Sequence, residues 1–419
     1  MLYRVFVALM GLVVVVVAAA CEQSSTSESP DLGVGRSAAE RVDDVLVGAV
    51  RRQEVLGVVA MAVDRDGVLY RAARGTADDI LDMPIRTDAI FRIASMTKPV
   101  TSVAAMQLVE RGLVDLDAAA ADYLPVLRQA LLVDEFDAEN STYALRPPRT
   151  PITLRHLLTH TAGFGYWFTS ATTRDFESSL EDEEVIGPLL FEPGTDWLYG
   201  TSTDWVGRLV EEVSGQSLED YFREHIFDPL QMMDTSFNVQ DGSWLRTVTV
   251  SRRQSSGGLV QQVRNNPVSV TEFSGGGGLW STAIDYSRFM RMWLNDGELD
   301  GARILSPETI AMMGENQIGS LNAGEWISTA PESSNDFHPL ALGKGRWGLG
   351  FLLNREDQPG QRVAGSLAWA GLYNTYFWID PTRDVAGVLL TQILPFADPQ
   401  VLAVFAEFEQ AVYVLAAET

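Results

Sequence analysis

The chain has 419 residues, 46 % of them hydrophobic and 21 % charged, which is ordinary for a globular protein with a large buried core. Its formal net charge of −25 creates a negative field that repels nucleic acid and disfavours anionic substrates. The sequence carries no internal repeat, which argues against a solenoid or a propeller.

The N-terminus has the pattern of an export signal. Arg4 precedes an uncharged run over residues 5–17, and the alanines at 18–20 lead directly to Cys21. Small residues before a cysteine resemble the signal of a bacterial lipoprotein, in which cleavage exposes the cysteine for acylation. Cys21 is the only cysteine in the chain, so we expect no intramolecular disulfide and a lipid anchor at this residue. An uncleaved membrane anchor or an ordinary secretory signal is the alternative, and either would also export the protein.

This pattern divides the chain into three segments. Residues 1–20 are predicted to be a signal peptide, residues 21–36 the lipidated cysteine with a flexible tether, and residues 37–419 the folded domain. We therefore expect the protein at a bacterial cell envelope, anchored to a membrane and facing the periplasm or the exterior.

The folded domain begins with a helix and a hairpin. Ser37 and Glu40 have the spacing of a capping box, which predicts a helix that runs to about Gln53. Residues 58–63 are an apolar run and residues 68–73 are apolar except for Arg71, and a turn that ends in glycine separates them, a pattern typical of a β-hairpin.

Ser95 and Lys98 stand at the start of the next predicted helix, on one face because they are three residues apart. Pro99 falls in its first turn, where a missing N–H costs nothing, and Gly112 ends it. A serine hydroxyl is a poor nucleophile without a base to take its proton. Burial and the positive end of the helix dipole both disfavour an ammonium ion, so the Lys98 amine is a candidate for that base. A capping serine on a surface helix is the structural alternative.

Two further motifs favour metal or phosphate binding only weakly. His156 and His160 are four residues apart on a predicted helix, but Leu157 occupies the place of the glutamate that a zinc protease needs. We expect His160 instead to bond carbonyl groups where that helix ends. The glycines within residues 274–278 lack the Lys-Ser or Lys-Thr of a phosphate loop, and are expected to allow close backbone approach near a cleft.

Aromatic residues supply the remaining candidates. Tyr199 lies on a loop just before a predicted helix, where a phenol can face a cleft, although a core position is the structural alternative. Tyr166 and Trp167 belong to an aromatic loop flanked by glycine. They are predicted to line an acyl pocket or to pack beneath the loop.

Strand patterns return near the C-terminus, where residues 375–379 and 385–391 flank a turn before a final helix. Strands at both ends with helices between them predict an α+β fold. An antiparallel sheet from about 37–90 and 270–419, flanked by terminal helices, would carry an inserted helical lobe at about 95–265. A cleft between the two lobes is the expected ligand site.

Taken together, these segments resemble the serine β-lactamase-like hydrolases related to penicillin-binding proteins, and especially the family VIII carboxylesterases. The resemblance spans nearly the whole folded domain, in order and in spacing. Its three motifs are Ser95-Met96-Thr97-Lys98, Tyr199-Gly200-Thr201 and Trp369-Ala370-Gly371. Supporting stretches lie at residues 157–163, 278–282, 347–351 and 375–381.

The resemblance implies a β-lactamase-like fold and a role for each motif. Ser95 would attack an acyl carbon while Lys98 and Tyr199 move the proton as general base and acid. The backbone N–H groups of Ser95 and Leu372 would form the oxyanion hole. No metal or organic cofactor is implied.

Two departures from the family pattern guide the choice of substrate. Thr201 replaces the asparagine that is common in penicillin-recognising members, and Trp369 replaces the lysine or histidine that opens their third motif. A cation at that place would orient a substrate carboxylate. Trp369, with Ala370 and Gly371, offers apolar surface, which suits a neutral small-molecule acyl ester.

The leading hypothesis is therefore an exported, lipid-anchored serine hydrolase that cleaves short to medium acyl esters through a Ser95 acyl-enzyme. A β-lactamase or D-alanyl-D-alanine carboxypeptidase is the alternative within the same fold. A non-catalytic envelope-binding lipoprotein is the alternative from another class, and the intact Ser95, Lys98 and Tyr199 argue against it.

Overall fold

The computed structural model describes residues 37–137, 142–177, 186–338 and 345–418. The predicted signal peptide, Cys21 and the tether lie outside the described residues. None of the described helices combines the length and the hydropathy needed to cross a membrane.

The described helices are α1 (Ala38–Arg51), α2 (Thr97–Glu110), α3 (Leu154–Leu158), α4 (Ala171–Glu177), α5 (Ser202–Ser214), α6 (Leu218–Phe222), α7 (Ala283–Leu294), α8 (Pro307–Gly314) and α9 (Pro399–Ala416). The described strands are β1 (Gly57–Val63), β2 (Val68–Asp78), β3 (Met83–Pro84), β4 (Phe91–Arg92), β5 (Leu132–Asp137), β6 (Thr142–Arg146), β7 (Ser251–Arg253), β8 (Leu259–Gln261), β9 (Trp280–Ser281), β10 (Glu298–Leu299), β11 (Ala302–Arg303), β12 (Arg346–Trp347), β13 (Leu352–Leu353), β14 (Leu367–Gly371), β15 (Thr375–Asp380), β16 (Val385–Leu390) and β17 (Ile393–Leu394).

An antiparallel sheet in the order β12-β13-β14-β15-β16-β1-β2-β3 forms the centre of the structure. Early and late parts of the chain meet within it, because Val59 of β1 pairs with Leu390 of β16. Every residue of β1, β15 and β16 is buried, so both faces of these strands must be covered. Helix α7 packs on β1, β15 and β16, while α1 and α9 pack on each other and against β1, β2 and β16. This arrangement confirms the predicted fold class.

Local signals place several elements where the sequence predicted them. The Ser37 side chain accepts a hydrogen bond from the Glu40 N–H and the Glu40 side chain accepts one from the Ser37 N–H, so the capping box is formed. The predicted hairpin is β1 paired with β2, and the two late strands are β15 and β16.

Helix α2 is the core helix of the region between the sheet segments. Eleven of its side chains are buried, including Val100, Val103 and Met106, and it packs against α5 and α6. The predicted helical region also contains two hairpins that the sequence analysis missed, β5 with β6 and β7 with β8. The second of these extends into a small sheet because β7 pairs with β17 near the C-terminus, a contact that local sequence cannot reveal.

The first turn of α7 holds a buried carboxyl group. Asp285 is 4 % exposed and accepts hydrogen bonds on Oδ2 from the Asp234 N–H at 2.8 Å and the Thr235 hydroxyl at 2.9 Å. Burial outweighs these hydrogen bonds and raises the pKa of Asp285 from 3.8 to about 6. The ionised form therefore costs folding free energy at neutral pH.

Replacing Asp285 by asparagine tests this cost. Because the pKa of Asp285 is higher in the folded than in the unfolded state, the neutral carboxyl contributes to the free energy of unfolding. That contribution is fully present below pH 3.8 and is lost as the pH rises through about 6. The D285N variant keeps an oxygen for both donors and cannot ionise. Its free energy of unfolding relative to the parent should rise by about 2 kcal/mol between pH 4 and pH 7. Urea unfolding at both pH values measures this difference, with D79N at an exposed aspartate as control. Parallel pH dependences of D285N and the parent would contradict the prediction.

Candidate active site

The predicted nucleophile lies on a tight turn directly before α2. Ser95 is half-buried in the short 3₁₀ turn Ala94–Met96, and Ala94 has a φ of 43°, in the left-handed region that alanine rarely adopts. Lys98 and Pro99 fall in the first turn of α2, as predicted. The turn and the helix therefore hold the hydroxyl and the amine in fixed relation to each other.

The Lys98 side chain is fully buried, and its amine has three hydrogen-bonding partners. Nζ lies 3.3 Å from Ser95 Oγ, 2.9 Å from the Tyr166 hydroxyl and 2.6 Å from the Gly276 carbonyl oxygen. A buried amine is tolerated only when its hydrogen-bonding capacity is met in this way. The geometry thus brings the predicted nucleophile and base together, as the spacing of three residues required.

Tyr199 presents the face of its ring to the same amine. Its ring centroid lies 4.8 Å from Lys98 Nζ, and its hydroxyl accepts a hydrogen bond of 3.2 Å from Trp369 Nε1. The ring stacks on Trp326 at 5.2 Å. The loop that carries Tyr199 is fixed in turn by a 2.8 Å hydrogen bond from the Thr169 hydroxyl to the Tyr199 carbonyl. Tyr199 is 3 % exposed and lines the neighbouring cavity, so a molecule can reach its hydroxyl only from that cavity.

Tyr166 is the tyrosine whose hydroxyl bonds Lys98, whereas its sequence context predicts only a place in the pocket wall. Loss of water around this hydroxyl, followed by the negative charge of Asp204, raises the pKa of Tyr166 well above its ordinary value. Tyr166 therefore stays protonated and works as a neutral hydrogen-bonding group.

A cavity of about 380 Å³ opens beside Ser95. It is lined mainly by aromatic rings, and the charged side chain in its lining is the carboxylate of Asp204. The lining consists of Ala94, Ser95, Tyr166, Phe168, Tyr199, Asp204, Ser274, Gly276, Gly277, Trp326, Trp369, Ala370, Gly371, Leu372, Tyr373 and Phe396. Such a surface suits an apolar acyl group and repels an anion.

The third motif runs along β14 into this cavity. A Cβ on Gly371 would lie 2.2 Å from the Ile93 carbonyl oxygen, so only glycine allows the strand to approach the turn that carries Ser95. Leu372 follows directly and lines the cavity together with Ser95. The two backbone groups predicted to form an oxyanion hole thus come from segments that contact each other.

The structure does not bring every predicted residue to the cavity. Trp167 is absent from its lining; the side chain is 37 % exposed and contacts Phe168 edge-on at 5.6 Å. Asp204, Trp326 and Phe396 line the cavity but were missed. Asp204 stands five residues after Tyr199, early on α5, and this spacing was the available signal.

The expectation that His156 and His160 share a helix is wrong. Helix α3 ends at Leu158, and His160 has a φ of 57° beyond it. Its buried ring packs 4.9 Å from the Tyr199 ring and 5.2 Å from Trp347, and its Nδ1 has no hydrogen-bond partner in the part of the chain that the structure describes. Burial, and then the charge of Lys98, lower the pKa of His160 well below its ordinary value, so the imidazole is neutral.

Neither the histidines nor any other described side chains form a metal site. Across residues 37–418, leaving out the undescribed gaps, no three His, Cys, Asp or Glu side chains lie close enough together to hold a metal ion. The glycine segment 274–278 lies against Lys98 and Asp204, in line with the expected close backbone approach.

Comparison with known proteins places these features in context. A family model described as Beta-lactamase matches residues 42–411. Acyltransferase calJ of Penicillium decumbens is 33 % identical over 390 residues, which cover 83 % of this chain and 91 % of that protein. Lovastatin esterase of Penicillium rubens is 29 % identical, covering 86 % of this chain and 95 % of the esterase. The structure of simvastatin synthase from Aspergillus terreus, in a mutant form, superposes with a TM-score of 0.79 at 28 % identity, covering 91 % of this chain and all of that one.

A methyl group on Gly276 should damage this site. A Cβ there would lie 2.3 Å from Asp204 Oδ2, so the G276A variant must displace either the Asp204 carboxylate, which bonds the Gly276 N–H, or the backbone whose carbonyl bonds Lys98. Displacement of about 1 Å at a reacting group costs on the order of 10²-fold in rate. We expect a loss of that size in kcat/KM for 4-nitrophenyl butyrate. In the matched variant G277A the new Cβ would meet only Ala94 backbone at 3.9 Å, and the loss should be much smaller. Equal losses in the two variants would show that the position of Gly276 is not critical.

Proposed function

The chain belongs to the β-lactamase family and is an enzyme of its serine hydrolase and acyltransferase class, and we propose that it cleaves short to medium acyl esters through an acyl-enzyme on Ser95. The observation that carries this proposal is the contact of Lys98 Nζ with Ser95 Oγ, 3.3 Å apart beside an apolar cavity. A buried amine in reach of a serine hydroxyl is the arrangement that serine acylation needs.

The first half-reaction forms the acyl-enzyme. Ser95 Oγ attacks the ester carbon while its proton passes to the Lys98 amine. The electron pair of the C=O π bond moves to the carbonyl oxygen, and the resulting oxyanion faces the N–H groups of Ser95 and Leu372. Each such donor is typically worth about 3 kcal/mol in the transition state. The oxyanion then collapses, the ester C–O bond breaks, and the alcohol leaves with a proton delivered by Lys98 or Tyr199.

The second half-reaction releases the acyl group. Water attacks the acyl carbon after giving a proton to the same Lys98 and Tyr199 pair, and Ser95 Oγ leaves with that proton as a free carboxylic acid forms. An alcohol in place of water would instead receive the acyl group, which makes acyl transfer the second candidate function. It is favoured by relatives such as acyltransferase calJ and the monacolin J acid methylbutanoyltransferase of Aspergillus terreus.

The cavity lining supports a neutral substrate over a penicillin. Trp369, which by the motif resemblance replaces the cation of penicillin-recognising enzymes, is 4 % exposed and donates its indole N–H to the Tyr199 hydroxyl. Asp204 adds a negative charge to the same lining. Both features disfavour the carboxylate that a β-lactam or a peptide C-terminus presents.

Substrate comparison and removal of the nucleophile test the reaction. The full chain should hydrolyse 4-nitrophenyl butyrate, and S95A should lose at least about 10³-fold in kcat while unfolding at the same temperature. Mass spectrometry of the parent should show a butyryl adduct on Ser95. Nitrocefin should be turned over far more slowly than the ester. Full ester turnover by S95A would refute the acyl-enzyme, and rapid nitrocefin turnover with negligible ester cleavage would favour a β-lactamase.

We propose further that the enzyme is exported and anchored through Cys21. The uncharged run over residues 5–17, followed by three alanines and the single cysteine, supports this proposal. Acyl chains on one residue would hold the domain at a membrane surface through the predicted tether, which ends at residue 36.

Substitution of Cys21 tests the anchor. Expressed in a bacterium, the parent should sediment with membranes and carry acyl chains on Cys21, because several chains on one residue bind stably to a bilayer. C21S should lack those chains. A parent protein that remains unacylated, with membrane association unchanged in C21S, would point to an uncleaved apolar segment instead.

A further inference from the structure

The hydrogen-bonding capacity of the Lys98 amine fixes the role of each partner at the moment of attack. A neutral amine has two N–H donors and one electron pair. The Gly276 carbonyl can only accept, so it takes one N–H over the 2.6 Å contact. The electron pair must face Ser95 to receive its proton. The second N–H therefore points to the Tyr166 hydroxyl oxygen at 2.9 Å, and the proton of Tyr166 must be directed elsewhere.

Asp204 acts on two of the three partners of the Lys98 amine, Gly276 and Tyr166. Its Oδ1 accepts a 3.0 Å hydrogen bond from the Gly276 N–H and a 2.5 Å hydrogen bond from the Ser274 hydroxyl. Oδ2 lies so close to Gly276 that a Cβ there would be only 2.3 Å away. The carboxylate also lines the same cavity as Tyr166, and its negative charge acts on the Tyr166 hydroxyl. A carboxylate has no proton to give, so its negative charge attracts the proton of the Tyr166 hydroxyl and turns it away from Lys98.

We propose that Asp204 is the positioning residue of this site: it fixes the Gly276 peptide and directs the Tyr166 hydroxyl, so that the electron pair of the Lys98 amine faces Ser95. This inference rests on the acylation chemistry proposed above. Asp204 acts through Gly276 and Tyr166 and takes no proton from substrate. A base that activates a nucleophile is itself oriented by a third group. In this site Asp204 has that role, because it acts on Tyr166, which contacts Lys98, which in turn contacts Ser95.

The amide variant D204N separates orientation from packing. Its carbonyl oxygen can still accept from Ser274 and Gly276, but the NH₂ group that replaces Oδ2 carries donor hydrogens and no negative charge to attract the Tyr166 proton. The Tyr166 proton is then turned toward the Lys98 electron pair, in competition with Ser95. Loss of the negative charge also makes the protonated form of the base less favourable. The titratable groups around the amine are Tyr166, Tyr199, Asp204 and the neutral His160.

The experiment measures kcat/KM against pH for 4-nitrophenyl butyrate with the full chain. The plateau value of kcat/KM should be roughly ten-fold or more lower in D204N than in the parent. The acidic limb of its pH profile should also move to lower pH. The control E212Q removes one negative charge from an exposed position on the same helix α5 and should match the parent. D204E restores a carboxylate and should recover part of the loss, and thermal midpoints of all variants should agree within a few degrees.

A double-mutant cycle with Y166F completes the test. If Asp204 acts through the Tyr166 hydroxyl, the double variant should be little slower than Y166F alone. A D204N plateau and acidic limb equal to those of the parent would overturn the inference, as would losses that simply multiply in the double variant. Failure of the proposed function is distinguishable, because it would appear as full activity in S95A.

Discussion

Burial of the Lys98 amine is the constraint on which the rest of the site depends. A lysine side chain without solvent access must find all its partners inside the protein, and here they come from a helix turn, an aromatic loop and a glycine segment. Those segments are distant in the chain, since Tyr166 lies 68 and Gly276 lies 178 positions from Lys98. Any movement of one segment leaves the amine short of a partner. The position of the base is thus enforced by the energetic penalty of an unsatisfied donor.

The sheet supplies the second requirement, which is a fixed wall opposite the turn of Ser95. Strand β14 lies between β13 and β15: its first two residues, Leu367 and Ala368, pair with both neighbours, while its last three residues pair with β15. Gly371 then allows the strand to touch the segment before Ser95. Aromatic rings from several segments fill the remaining space, with Trp326 stacked on Tyr199 and Trp369 edge-on to it. The wall opposite Ser95 is therefore formed by packed aromatic side chains and is mainly apolar toward the cavity.

Short-range sequence patterns correctly predicted the features that depend on interactions between residues close together in the chain. The capping box of Ser37, the hairpin that begins with β1 and the three-residue spacing of Ser95 and Lys98 all express rules that act within one or two turns of chain. The fold class followed from strands at both ends with helices between them. The contacts of Tyr166 and Asp204 did not follow, because they join segments that only the tertiary fold brings together. His160 was misplaced on a helix for a related reason: its left-handed backbone lies in a buried aromatic cluster that no periodicity reveals.

The pairing of β1 with β16 has a consequence for biosynthesis. Strand β1 is synthesised early, but its neighbour β16 leaves the ribosome almost last. The central sheet can therefore be completed only when translation is nearly finished. Strand β14 belongs to the same late block. A nascent chain with this topology keeps an incomplete sheet until its C-terminal strands have left the ribosome, and the wall that β14 provides beside Ser95 is added only then.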